Sequence, residues 1–376
     1  MDFKFEILHQ STRSKARVGR IHTPHGIIET PHFVPVATNA SLKCVSSEQL
    51  AQLDVDLIFC NTYHLMLQPG AKAIESLGGL HSFMNRQKPI ITDSGGFQVF
   101  SLAYGSVANE LKSQGMKASS GTVLKINEEG VRFRSYRDGS EVFLTAESSV
   151  DAQKSLGADI IIPFDELPPY HMKPKALRAS LARTHRWEKR SLDRHLRNRN
   201  GQAMYAVVHG GLDAALRQES AQYLSSLSFD GFAIGGSLGR NSEDLHQVLS
   251  FSLPHLPNEM PKHLLGIGDV LNIQVGLPFG VDTFDSSYPT KIARHGAVLV
   301  GNSDRLKLKH SQYANDTRPL EEGCECCVCL HHSRAYLHHL LKAHEPVVLS
   351  LLSIHNLAWM VRYFKRVRQA ILHNQL

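Results

Sequence analysis

Short runs of apolar and β-branched residues recur along the chain at 33–37, 56–61, 89–93, 159–165, 203–208, 231–236, 263–268 and 282–287. Between most of them lie segments with helical spacing, among them 46–50 with its Ser-Ser-Glu-Gln capping character, 148–156, 173–199, 216–227 and 242–253. Strand and helix alternating eight times predicts a closed parallel (β/α)8 barrel, a TIM barrel. Two stretches break the rhythm. Residues 3–30 alternate apolar and polar around a Thr23-Pro24-His25-Gly26 turn, which predicts a small antiparallel sheet closing one end of the barrel. Residues 122–144 alternate strictly around Glu-Glu-Gly and Arg-Asp-Gly turns, which predicts antiparallel strands inserted between the third and fourth barrel strands.

Composition changes this picture little. The 376 residues are 42% hydrophobic and 20% charged, an ordinary soluble balance long enough for one barrel and a smaller appendage. The start, Met1-Asp2-Phe3-Lys4-Phe5-Glu6, lacks the apolar core of a signal peptide, and no uninterrupted apolar run approaches the ~20 residues of a membrane span. A cytoplasmic protein without a membrane partner is expected. The net charge of +6 and 22 histidines make a polyanionic partner plausible. The cations between Lys173 and Arg199 spread around a helix and read as a solvated face.

Active sites in a barrel of this kind sit at the C-terminal ends of the strands. The runs here end in Asn61, Asp93, Asp165, His209 with two glycines, Gly235-Gly236 and Gly266-Ile-Gly268, and the eighth carries Asp285. Each acid alone could be a helix cap or a turn residue. Three carboxylates at one mouth are harder to explain structurally, because uncompensated acids repel unless a ligand or a proton neutralises them. Two acids suit chemistry at an anomeric carbon, one as nucleophile and one shuttling the leaving group's proton. A third can accept from the adjacent N–H groups of a guanine-like edge, while backbone N–H groups at Gly235-Gly236 donate to its carbonyl and Phe97 offers a stacking face.

Cysteines are unevenly distributed. Cys44 and Cys60 stand alone, whereas Cys324, Cys326, Cys327 and Cys329 crowd together, a spacing that argues for metal and against disulfides in a cytosolic chain. Cys324, Cys326 and Cys329 supply three thiolates, and a closed zinc site wants a fourth ligand. His355, on a segment that can fold back as a helix, fits best; His331, His332, His338, His339 and His344 compete. Four protein ligands leave no open position, so the zinc is expected to be structural, one per chain.

These motifs resemble the queuine tRNA-ribosyltransferases, also called tRNA-guanine transglycosylases, most closely the bacterial branch. The resemblance rests on Asn61-Thr-Tyr-His-Leu-Met-Leu-Gln-Pro-Gly70, Thr92-Asp-Ser-Gly-Gly-Phe-Gln-Val-Phe-Ser-Leu102, Phe164-Asp165-Glu166, Gly231 to Gly236, Gly266-Ile-Gly268, Val281-Asp-Thr-Phe-Asp285 with Pro289-Thr290, and the cysteine cluster followed by Ser333 to Leu340. It implies a barrel over residues 1–310, a zinc-binding subdomain with C-terminal helices over 311–376, and exchange of guanine at the wobble position of GUN anticodons for a 7-deazaguanine base. By motif position Asp285 would be the nucleophile on the ribose, Asp93 the general acid/base and Asp165 the base-reading carboxylate. Phe97, His209, Gly235, Gly236 and Leu265 would complete the base pocket. Lys291 and Arg294 would hold nucleotides beside the target base, and Tyr336 and His339 lie where the family's homodimer contacts occur.

The chain departs from the bacterial pattern in the pocket: His209 stands for glutamine, Leu167 for cysteine, and the loop Ser237-Leu238-Gly239 is short. Leu167 and Gly239 match relatives that accept queuine, so queuine is the favoured base over its aminomethyl precursor. A retaining glycosidase on the same barrel and a tRNA-binding subunit without catalysis are the alternatives; the zinc knuckle argues against the first and the retained acids against the second.

Overall fold

The structure, a computed structural model, describes residues 3–104 and 122–376. Strands β1 (Lys4–Gln10), β2 (Arg17–Thr23) and β3 (Gly26–Thr30) form the expected antiparallel N-terminal sheet. Its apolar face, Phe5, Ile21 and Ile28, packs with Leu57, Ile91, Ile160 and Tyr205 in the barrel interior, so the sheet covers the barrel end opposite the predicted site. Two polar ties fix it there. Arg17, fully buried, donates to both carboxylate oxygens of Asp282 (2.9 and 2.6 Å), the bidentate geometry that a buried guanidinium needs. His25 in the β2–β3 turn and His81 share the carboxylate of Asp159, at 2.8 and 3.2 Å. Their rings stack 3.5 Å apart and only 15° from parallel, so the nitrogens approach the acid side by side instead of converging on one point as ligands of an ion would.

The barrel follows as β4 (His32–Pro35), β5 (Ile58–Cys60) and β6 (Ile90–Thr92). The insertion β7 (Val123–Ile126), β8 (Gly130–Arg134) and β9 (Glu141–Thr145) then forms a separate antiparallel sheet between the third and fourth barrel strands, as its alternation predicts. β10 (Ile160–Ile161), β11 (Ala203–Val208), β12 (Gly231–Ile234), β13 (Lys262–Leu264) and β14 (Thr283–Ser286) complete an eight-stranded parallel sheet ordered β4-β14-β13-β12-β11-β10-β6-β5. A parallel bridge from Val36 to Phe59 closes it. Each of the eight expected runs overlaps one of these strands.

The basic helix Pro174–Leu196 differs from its sequence reading. Its cations are partnered, not merely solvated: Arg190 pairs with Glu147 (2.6 Å), Arg194 with Asp151 (2.8 Å), Arg183 with Glu166 (2.5 Å) and Arg186 with Glu128. Trp187 adds an indole N–H bond to the Glu128 carbonyl (2.8 Å) and stacks on Phe164, so this helix clamps the inserted sheet to the barrel wall. Helical spacing could show where the charges point but not that acids from β7–β9 and the helix Ala146–Leu156 would meet them.

Beyond the barrel lie β15 (Ala297–Val300) and β16 (Asp304–Lys307), followed by the cysteine cluster and the C-terminal helix Val347–Leu372. Among the described residues this helix alone is long and apolar enough to cross a membrane, yet 61% of its apolar window is buried in protein, the signature of a core helix. Asn356 within it receives the Leu299 N–H and donates to the carbonyls of Pro289 and Ala297. The helix is thereby bound to the chain that leaves β14.

Candidate active site and metal centre

Residues at or just beyond the ends of seven of the barrel strands line a cavity of about 490 Å³ at the C-terminal mouth. Asn61, Asp93, Phe97, Asp165, Leu167, Gly235, Gly236, Leu265 and Asp285 all line it. The loop after β6 can run hard against the exit of β10 because residue 96 is glycine; a Cβ there would lie 2.6 Å from the Asp165 carbonyl oxygen. Phe97 follows with 48% of its surface exposed, which leaves a ring face open in the cavity.

Each of the three acids is held by donors from a neighbouring strand end. Asp93 accepts from the Asn61 amide and the Thr62 backbone N–H, both at 2.7 Å. Burial nevertheless dominates those bonds and pushes its carboxyl up to about 6 from an ordinary 3.8. Asp165 accepts from the Ser94 hydroxyl and from His209 Nε2, both at 2.9 Å. Asp285 accepts at Oδ1 from Gly266 N–H (2.9 Å) and His263 Nε2 (3.1 Å). All three carboxyls are thus fixed by hydrogen bonds and one of them can carry a proton near neutrality, an arrangement that suits proton transfer, nucleophilic attack and recognition of N–H donors.

One expected pocket residue and the two expected tRNA contacts lie outside the cavity lining. His209 is 2% exposed and stands behind Asp165, away from the cavity wall, with Gly236 (φ +71°) pressed so close that a Cβ would come within 2.8 Å of its Nδ1. Lys291 and Arg294 are exposed on the helix Tyr288–Arg294 that leaves β14, outside the cavity lining. Neither carries an ion pair among the described residues. Ser94, Thr62, His64 and His263 were not singled out from the sequence. Ser94 and Thr62 directly follow residues that were, and His263 is a polar residue at an inward position of an apolar strand, which is the one signal that could have revealed it. Glu188, fully buried beneath β11, was also missed. Burial and then the charge of Asp165 hold its carboxyl well above the ordinary range, and it accepts the Val207 N–H (3.2 Å).

The second site gathers Cys324, Cys326, Cys329 and His355, whose ligand atoms all lie within 4.8 Å of one another. The three sulfurs stand 3.9, 3.5 and 3.4 Å from His355 Nδ1. Bonds of about 2.0 to 2.3 Å to one ion give tetrahedral edges of about 3.5 Å, so the set fits a metal. His355 Nε2 donates to the Leu299 carbonyl (2.8 Å), which leaves Nδ1 for the ion and fixes the ring. Cys327 is exposed and takes no part, and none of the five competing histidines joins the cluster.

Comparison with known proteins gives the family. Residues 11–376 match the family model described as queuine tRNA-ribosyltransferase. A queuine tRNA-ribosyltransferase of Protochlamydia amoebophila is 59% identical over 369 residues, 98% of this chain and 95% of that protein. Those of Chlamydia muridarum and Chlamydia trachomatis are 54% and 52% identical over 377 residues, the whole of each chain. With three carboxylates at a barrel mouth, a Cys3His cluster behind it and full-length identity above half, this chain belongs to the queuine tRNA-ribosyltransferase family of enzymes.

Proposed function

We propose that this enzyme exchanges the wobble guanine of GUN-anticodon tRNA for a 7-deazaguanine through a covalent bond between Asp285 and the ribose. The supporting observation is the convergence of three acids on one cavity, each held by hydrogen-bond donors, with Asp93 pushed up to about 6 by burial. An Asp285 oxygen gives its lone pair to C1′, the C1′–N9 bond breaks toward the base, and the Asp93 proton goes to the departing guanine. The Asp93 carboxylate then takes the proton of the incoming base, whose nitrogen attacks C1′ and releases Asp285. Asp165, seated by His209, accepts from the N–H edge of the base, Gly235 and Gly236 approach its carbonyl, Leu265 packs beside it, and Phe97 stacks on it. Lys291 and Arg294 meet the flanking phosphates.

The Cys3His centre holds one structural zinc, since thiolates with imidazole suit that ion and four ligands close its shell. Residues 311–376 form this subdomain and 1–310 the barrel. The exposed Tyr336 and His339 mark the face of a homodimer, and the enzyme works in the cytoplasm. Incubation with radiolabelled guanine and unmodified tRNA tests the reading: label enters RNA if it holds. Hydrolysis of a glycoside without transfer would favour a glycosidase, and tRNA binding without label a non-catalytic subunit.

Queuine is the favoured base. Leu167 lines the cavity, and Gly239 (φ +92°) sits in the short loop after β12, where a Cβ would collide with the Asp244 side chain. Competition against labelled guanine decides it: incorporation of the aminomethyl precursor far above queuine would refute the preference.

A further inference from the structure

We propose that His263 is the positioning residue of the nucleophile: with the Gly266 N–H it occupies Oδ1 of Asp285, so that Oδ2 is the oxygen that attacks the ribose. This rests on the reading of Asp285 given above. The register dictates the arrangement. β13 and β14 pair in parallel with His263 opposite Thr283, and Asp285, two residues on, shares the face of Thr283. The imidazole therefore reaches both side chains, with Nδ1 at 2.8 Å from Thr283 Oγ1 and Nε2 at 3.1 Å from Asp285 Oδ1.

Assigned from this network, the Thr283 hydroxyl donates to Nδ1 and the ring proton sits on Nε2, where it donates to the carboxylate. Phe59 lies nearly parallel to the ring, 18° off at 6.1 Å, and limits its tilt. His263 has no exposed surface; Phe59 stacks beside it and Ala233 is its partner on the neighbouring strand β12. An imidazole is a costly way to fill such a space unless both nitrogens are used. Both are, and the second is used on the nucleophile.

The consequence is directional. Two donors from different directions, a backbone N–H and a ring N–H, fix the carboxylate plane at Oδ1, and among the described residues no donor is bound to Oδ2 of Asp285, a residue that lines the cavity. Loss of the ring would let the carboxylate turn, and misplacement on the order of 1 Å costs about 10²-fold in rate.

The test measures covalent RNA adduct formation in single turnover and steady-state exchange for His263→Ala, His263→Gln and Thr283→Val, each checked for zinc content and melting temperature. His263→Ala should slow adduct formation about 10²-fold with the tRNA KM within about twofold of wild type. His263→Gln, which keeps an N–H donor, should recover most of the rate, and Thr283→Val should cost a few-fold. A folded His263→Ala protein with the wild-type adduct rate overturns the proposal, as does a Gln variant no faster than Ala. Should the Ala variant fail to fold, Gln and Thr283→Val decide: the proposal falls if Thr283→Val forms adduct at the wild-type rate, or if the Gln variant falls short by about 10²-fold or more. Wild-type protein that forms no adduct at all would instead refute the role of Asp285.

Discussion

The cysteine cluster and the barrel mouth both crowd ionisable groups from distant parts of the chain, and they resolve the crowding in opposite ways. In the Cys3His centre the sulfurs surround one nitrogen at 3.4 to 3.9 Å, and the only outward bond of His355 ends on a backbone carbonyl. All valence turns toward one interior point, which a single cation satisfies completely. At the mouth no such point exists. Each acid is instead half-satisfied from behind, by Asn61 and Thr62, by Ser94 and His209, or by His263 and Gly266, and keeps its remaining capacity toward an open cavity. A cluster that closes on itself leaves no open position for a substrate. One supported from behind and open in front can act on something that enters.

The sharpest way to break this comparison is to remove one group from each side. Asp285→Asn should reduce exchange by about 10⁴-fold or more and abolish the RNA adduct, since an amide cannot attack the ribose, while melting temperature and metal content stay near wild type. Near-normal exchange by this variant would sink the assignment. Cys326→Ala should show the reverse pattern: loss of about one zinc per chain and a lower melting temperature, with activity falling only in proportion to the unfolded fraction. A selective loss of turnover in protein that stays folded would show that the metal takes part in chemistry.

A finer cut separates Asp93 from its two companions. Its folded pKa of about 6 lies above the ordinary 3.8, so the folded state binds the extra proton between those values. The stability associated with this group is therefore present at low pH and lost as pH rises through 4 to 6, by roughly 3 kcal/mol in all. Asp93→Asn should remove that slope from a plot of unfolding free energy against pH. The two half-reactions should also diverge. Release of guanine needs the protonated acid and should slow about tenfold per unit above pH 6, whereas attack by the incoming base needs the carboxylate and should slow below it. Half-reactions that move together with pH would show that Asp93 does not carry the proton.

The contrast also marks what the sequence made legible. The eight strand runs, the inserted sheet, the three acids and the Cys-x-Cys-x-x-Cys spacing are local patterns, and each was readable because its periodicity or spacing lies within a short window. His355 was legible only as the best of several histidines, because its place depends on how the helix Val347–Leu372 returns to the cluster. The groups behind the acids were less visible still. His263, Ser94 and Glu188 serve through contacts across strands or between helix and strand, and such contacts are set by register and not by neighbours in sequence. His209 shows the same limit from the other side. Its position after the fifth strand placed it at the mouth, but whether the side chain faces the base or Asp165 is decided by the close approach of Gly236.

The smallest expected effects extend the comparison to the cations. Arg190 is closed in the manner of the metal centre: it pairs with Glu147 at 2.6 Å and donates to the carbonyls of Glu128 and Glu129 at 2.8 and 3.1 Å. Its charge is thus used within the protein, about a third exposed, and solvent screening limits its value. Arg190→Ala should lower stability by about 1 kcal/mol, because the inserted sheet loses part of its clamp, and leave the tRNA KM unchanged. Lys291 and Arg294 resemble the mouth, being exposed and without an ion pair among the described residues. Alanine at either should barely change stability but should raise the tRNA KM and reduce the slope of log affinity against log salt by about 0.7 to 0.9, one phosphate contact each. A rise in tRNA KM from Arg190→Ala, with no change from Lys291→Ala or Arg294→Ala, would place the RNA on the helix Pro174–Leu196 and reverse the division of the cations argued here.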